Sequence, residues 1–265
     1  MTAHMRDPID EDIIAFRHLL NDTLGQSISD AQRFQFDDKN PQHLLTISLY
    51  ATIVQASHDC AILLDEETVT IVGGALRSIV ESWADLTSII ADENYGQRMA
   101  VTFAHEKKRY FQNMLQYPQN PFFSDMAKHL NADVALKATT AEIAKCEKDG
   151  HKPLSNKERL NRAGLADIYQ AFYWQLCLDS HNSAAMLQVR HMEEDDAGNL
   201  KINLFGRTTN IQRINSLDPL VAILLDAGKR THEFFKTGLA QLYEQRRAAF
   251  DVFRRKVLAN SRPVE

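Results

Sequence analysis

Residues 67–92 read ETVTIVGGALRSIVESWADLTSIIAD, and the spacing within this stretch predicts one long amphipathic helix. Val72, Leu76, Ile79, Trp83, Leu86 and Ile90 recur at intervals of four and three, the pattern of a helix buried along one side. At 3.6 residues per turn, Thr70, Arg77, Glu81, Asp85 and Ser88 fall on the opposite side. Arg77 and Glu81 are i, i+4 neighbours and can touch. Gly73 and Gly74 lie beside that polar side. A helical glycine costs about 1 kcal/mol relative to alanine, so the pair predicts close approach of another backbone. The expected element is a helix packed on both sides with a polar seam on the second.

Working outward, helix signals dominate. Asp7-Pro8 reads as an N-cap followed by proline at the first helical position. The helix behind it carries Ile13, Phe16, Leu20 and Leu24, and Gly25 is expected to end it. Asn40-Pro41 starts a second helix to about Asp65, with Leu44, Ile47, Ala51, Val54 and Ile62 as core candidates, antiparallel to the 67–92 helix. A fourth helix is expected from Asn94 to Gln116, and a fifth from Asn120-Pro121 to about Lys148. The charged stretch 148–162 reads as a loop with Ser155 capping a short helix. The segment 193–207 holds EEDDAGN followed by LKINLFG, which predicts a small β-hairpin turning at Asp196–Asn199. Asp218-Pro219 is expected to begin a last helix running to about 259. The fold class is therefore all-α, a multi-helix bundle of long antiparallel helices with at most that hairpin. With no repeat and no evident linker, one domain over 1–265 is the simplest organisation.

The second informative stretch is Tyr169 to Asn182. Tyr169, Tyr173, Cys177 and His181 are four apart and line one side of a helix. Asp179-Ser180-His181-Asn182 then interrupts the apolar pattern with side chains that bond their own backbone, which predicts a kink. A histidine at such a junction titrates near neutrality. The plainer reading of the same residues is a satisfied structural histidine among packing tyrosines.

Composition limits the function classes. The 265 residues are 44% hydrophobic and 25% charged, the balance of an ordinary globular protein. The net charge of −5 argues against a chain built mainly to coat nucleic acid. Cys60, Cys146 and Cys177 are odd in number and form no C-x-x-C pair, so neither a disulfide framework nor a cysteine zinc site is indicated. The N-terminus lacks an apolar signal core, and no run resembles a membrane span. A cytoplasmic setting with reduced thiols is expected. No Gly-rich phosphate loop, G-x-S-x-G or nucleotide fingerprint is present, and no cofactor or metal is expected.

Leu76-Arg77-Ser78-Ile79-Val80-Glu81 and Tyr173-Trp174-Gln175-Leu176-Cys177-Leu178-Asp179-Ser180-His181 together resemble a bacterial all-helical family of unknown function. Its two motifs read L-R-S-x-x-E and Y-x-x-L-S-x-x-x-H. Cys177 stands where the family has serine, and Asn182 where proline often follows the histidine. The resemblance covers about 56–192. It implies an all-helical fold in which Arg77, Glu81 and His181 converge, and it implies no particular reaction.

Three sharper patterns carry less. Arg98 and His105 match the arginine–histidine spacing of helical RNases, but Met99 follows the arginine where those enzymes prefer a polar residue. His58-Asp59, with His43 and Asp85, resembles the ligand set of metal phosphohydrolases, yet the pair falls mid-helix between Val54 and Ile62. Arg246, Arg247, Arg254, Arg255 and Lys256 read as a solvated face of the last helix, with a contact to nucleic acid or an acidic partner as the less favoured alternative.

Two functions from different classes follow. The first is a binding module for a small ligand or protein partner, with Arg77, Glu81 and His181 as its polar cluster and Tyr173, Asn182 and Asp85 as further ligand contacts. The second is a metal-independent phosphodiester-cleaving enzyme, in which His181 is the general acid or base, Arg77 holds phosphate and Glu81 orients Arg77. Whether the protein is an enzyme stays open at this level. The apolar run to Phe250, Phe253 and Val257 also predicts a homodimer through the C-terminal helix.

Overall fold

The computed structural model describes residues 10–66, 71–180, 184–194, 198–204 and 209–260. Among them helices dominate: α1 (Asp10–Ala31), α2 (Pro41–Asp65), α3 (Val72–Ala91), α4 (Tyr95–Gln116), α5 (Pro121–His129), α6 (Ala132–Lys148) and α7 (Asn156–Arg162). A compound helix follows, made of α8 (Ala166–Ile168), a π-helical turn (Tyr169–Tyr173) and α9 (Trp174–Ser180). Then come α10 (Ala184–His191), strands β1 (Met192–Glu194) and β2 (Leu200–Ile202), α11 (Asn210–Phe234) and α12 (Ala240–Asn260). The strands pair antiparallel, Glu193 opposite Lys201. This is the all-α bundle with a small hairpin that the sequence predicts. Gly198 and Asn199 of the expected turn lie beside β2, while Asp196 lies outside the described residues.

The chain divides into two compact units, 1–90 with 160–265, and 91–159. The unit 91–159 closes on itself, α4 packing on α5 and α6 with a small core of Phe111, Met114 and Ala132. In the larger unit α11 lies against α1, α2 and α12. It buries Leu217, Leu220, Val221, Leu224, Leu225 and Ala227 and is the helix the others pack around. The stripe of α3 is as predicted, with Val72, Leu76, Ile79 and Leu86 buried in the same core. Its far half is buried almost all round, Asp85 and Ser88 included.

Several boundaries differ from expectation, each for a local reason. α1 runs through Gly25, since Ser27 and Asp30 beyond it are buried and packing outweighs a glycine's helix cost. Asn131 adopts a left-handed conformation (φ 45°) and splits the expected 120–148 helix into α5 and α6. α11 starts eight residues before Asp218, because Thr209 and Gln212 form a reciprocal capping box; Pro219 sits inside the helix. The C-terminal helix expected over 218–259 is two helices, broken where Lys236 and Gly238 take positive φ (52° and 82°). Gly74 has nothing within 4 Å of where a Cβ would stand, so no backbone approaches it. Three caps match: Asn40 accepts from the backbone of Gln42 and His43, Asn120 accepts from the backbone of Phe122, and Ser155 with Glu158 caps α7 reciprocally. The Asp7-Pro8 start and Thr70 lie outside the described residues.

The largest correction is the face of α2. Leu44, Ala51 and Ile62 are exposed, whereas Thr46, Tyr50, Ile53, Ser57, Cys60, Ala61 and Leu64 are buried. By length and composition α2 is apolar enough to cross a membrane; here its buried face packs on α1 and α11. The aromatic seam expected to join two copies is also used internally. Phe250 and Val257 are buried, and Phe253 lies 4.8 Å from Phe16, edge to face.

Candidate functional site

α3 and the compound helix bring together side chains more than 90 residues apart. Arg77 Nε donates to Glu81 Oε1 and to the Tyr173 hydroxyl, both at 3.1 Å. The Tyr173 hydroxyl in turn donates to Glu81 Oε1 at 2.5 Å. The one phenol thus accepts from the cation and donates to the anion, closing a three-membered ring of bonds. The Arg77 guanidinium also lies 5.6 Å from the Tyr173 ring centre, within cation–π range. Tyr169 stacks on Tyr173 with centroids 5.5 Å apart.

Both tyrosines belong to the π-helical turn. Such a turn inserts one residue into the helical register, and short π segments recur at functional sites. The base of the cluster is dry and its top is not: Tyr173 is 3% exposed, while the Arg77 and Glu81 side chains are 25% and 22% exposed. Burial, reinforced by the bond to Glu81, raises the Tyr173 phenol above its ordinary range. It therefore stays protonated as the donor to Glu81. For Arg77 burial works against the charge, but the bonds to Tyr173 and Glu81 outweigh it and the guanidinium is held charged. Cys177, one turn after Tyr173, is half-buried.

Of the residues singled out from sequence, Arg77, Glu81 and Tyr173 meet. Asp85 is buried one turn beyond Glu81 on the same face. His181 and Asn182 lie outside the described residues. The other patterns do not assemble. His58 and Asp59 form an exposed pair at 3.8 Å, and His43 is 15 positions away on the same helix, roughly 22 Å. It packs instead on Phe234 and Phe235. His105 pairs with Glu147 at 3.4 Å. No group of three or more His, Cys, Asp or Glu suited to a metal occurs among the described residues. Arg246 bonds Gln26, Arg247 bonds Asp251 and the Ala222 carbonyl, and Arg254 pairs with Asp218, so these cations are used within the chain. A shallow groove on α2, lined by Ala51, Thr52, Gln55, Ala56 and Asp59, holds no convergent polar set.

Sequence reasoning missed a second polar group. Ser27 and Asp30 of α1, Tyr50 of α2, His232 of α11 and Tyr243 of α12 are all buried. The His232 ring stacks on Tyr243 at 4.9 Å and lies 4.7 Å from Phe34. Gly228 makes room, since a Cβ there would stand 2.2 Å from the Tyr243 ring. The available signal was Thr46, Tyr50 and Ser57 at helical spacing inside an otherwise apolar helix.

The model of a family of unknown function (DUF5677) matches residues 43–199, which contain all three members of the Arg77 cluster and span more than half of the chain. No curated protein and no solved structure matches.

Proposed function

The chain belongs to the DUF5677 family of unknown function, and from that premise we propose that it is a cytoplasmic binding module whose recognition point is the Arg77–Glu81–Tyr173 cluster. The observation that carries this reading is the asymmetry of the cluster. A buried phenol fixes both charged side chains from below, while about a quarter of each remains open to solvent. Pre-set donors and acceptors of this kind bind without paying the ordering cost of free side chains. A guanidinium beside a carboxylate suits a small polar ligand, or a peptide segment, that carries both an acceptor and a donor. His181 and Asn182, next in sequence, belong to the same proposed site, and Asp85 supports it from one turn away.

The test compares wild type with Arg77→Lys and Tyr173→Phe by melting temperature and by calorimetric titration with acetate, succinate, inorganic phosphate and glycinamide. A recognition point gives a wild-type response to at least one probe that Arg77→Lys abolishes while its melting temperature falls by only a few degrees. A wild type silent to every probe, with both variants strongly destabilised, refutes the reading and leaves a structural clasp.

A further inference from the structure

The unit formed by 91–159 has a surface unlike the rest of the chain. Among the described residues six Phe, Tyr or Trp rings are exposed, and four of them, Phe103, Tyr110, Tyr117 and Phe122, lie in this unit. Phe103 is 62% exposed and Phe122 80%. The charge differs too. Residues 91–159 hold eleven Lys and Arg against nine Asp and Glu, and the remainder of the chain holds nineteen against twenty-six. The unit 91–159 is thus net +2 and the remainder of the chain net −7.

One cation lies between two rings on α4. Phe103, Lys107 and Tyr110 are spaced four and three apart and share one stripe. The Lys107 ammonium sits over the Phe103 ring, 5.7 Å from its centre. Lys108 and Arg109 follow, and among the described residues none of the three cations is paired with a carboxylate. Glu106 flanks the stripe as its one acid. Tyr110 is held in place, its ring edge-on to Phe123 at 5.8 Å and its hydroxyl 3.7 Å from the Met126 sulfur. Phe122 projects from α5, next to the ring that Tyr110 touches.

We propose that this face, Phe103, Lys107 and Tyr110 on α4 with Phe122 on α5, binds single-stranded nucleic acid. Surfaces of that class combine rings on which unpaired bases stack with cations that follow the phosphates. Phe103 and Tyr110 are about 10 Å apart along the helix axis, so a strand laid along α4 passes both rings and the lysine between them. A purely apolar protein partner has no use for a lysine set between the rings, and a base-paired duplex hides the faces that stacking needs. The site is separate from the Arg77 cluster and does not depend on it.

Fluorescence anisotropy of the full-length chain with a labelled oligothymidylate of about 20 nucleotides at low salt tests the proposal. Wild type is expected to bind, with Phe103→Ala and Phe122→Ala each weakening binding about fivefold or more. Lys107→Gln is expected to lower the slope of log affinity against log salt by about 0.7. All three side chains are on the surface, so unchanged melting temperatures accompany these losses. Absence of binding at low salt overturns the proposal, as does binding indifferent to loss of both phenylalanines or equal affinity for the matching duplex. A doubling of mass in wild type that is lost with the same alanines assigns the face to a second copy of the chain and overturns it as well.

Discussion

Acidification from pH 7 to pH 4 should weaken the fold through His232. The imidazole is fully buried between Tyr243 and Phe34, its Nδ1 2.8 Å from the Thr237 hydroxyl. Burial pushes it from 6.5 down to about 4; Asp30 pulls the other way and Arg33 adds to the fall. Between those values the unfolded chain binds a proton that the folded chain refuses, so stability rises with pH across the window and falls as pH drops through it. At 1.36 kcal/mol per unit the span amounts to about 3 kcal/mol, fully present above pH 6.5 and lost by about pH 4. Carboxylates titrate in the same range, so the assay is a difference. Urea denaturation of wild type and His232→Phe is followed at pH 7, 6, 5 and 4. Phenylalanine keeps the stacked ring and removes the titration, at the cost of the Thr237 contact. The two stabilities should converge as pH falls, by about 2–3 kcal/mol over the series. Parallel curves would refute the reasoning, because they would mean that His232 takes up its proton in the folded state.

Tyr173→Phe keeps the stack on Tyr169 but removes the hydroxyl that joins Arg77 to Glu81. It should cost about 1–2 kcal/mol in denaturant titrations, the value of hydrogen bonds to partly exposed charges; a neutral variant would show that the ring of bonds contributes nothing. Gly228→Ala drives a methyl into the Tyr243 ring and should destabilise by about 1–3 kcal/mol, whereas Gly25→Ala meets no neighbour and should stabilise by roughly 0.5–1 kcal/mol. With Phe250 and Val257 buried, Val252 is the large exposed apolar residue among the described side chains of α12. Light scattering at tens of micromolar, roughly the range that separates weak from stable dimers, tests the dimer expected through the C-terminal helix: twice the chain mass of 30.2 kDa is the expected result, and the single mass refutes it.

What could be read in the sequence was whatever had a strong local cause. Asn40 before Pro41, and Ser155 three before Glu158, fix helix starts by side-chain bonds to the backbone, and those starts are where the sequence places them. The stripe of α3 alternates sharply with polar residues, so its buried face was unambiguous. α2 failed for the opposite reason. It is apolar on nearly every side, and periodicity cannot choose among faces that are all hydrophobic. Its true core face carries Thr46, Tyr50 and Ser57, residues that a hydrophobic count discards. Pro219 misled because proline at a first helical turn is common, while the Thr209 capping box upstream is a weaker written signal with a stronger structural effect. The pairing of Arg77 with Glu81 follows from helix geometry alone. The arrival of Tyr173 depends on packing between distant segments and on a π-helical turn that no residue spacing announces.

That turn and the ion pair bear on the same question. A wide helical turn gives up regular hydrogen bonding, and a half-buried charged pair gives up hydration; neither is a cheap way to hold two helices together. Well-packed apolar residues in place of a buried ion pair often leave stability equal or better, and the core around Leu76 and Leu176 already supplies such packing. A clasp is thus a poor account of why Arg77 and Glu81 are charged and why each keeps about a quarter of its side chain open. The recognition role proposed above would use both features. Tyr173 removes the conformational freedom of the guanidinium and the carboxylate from beneath, the Tyr169 stack removes that of Tyr173, and the exposed quarter is what a ligand would meet.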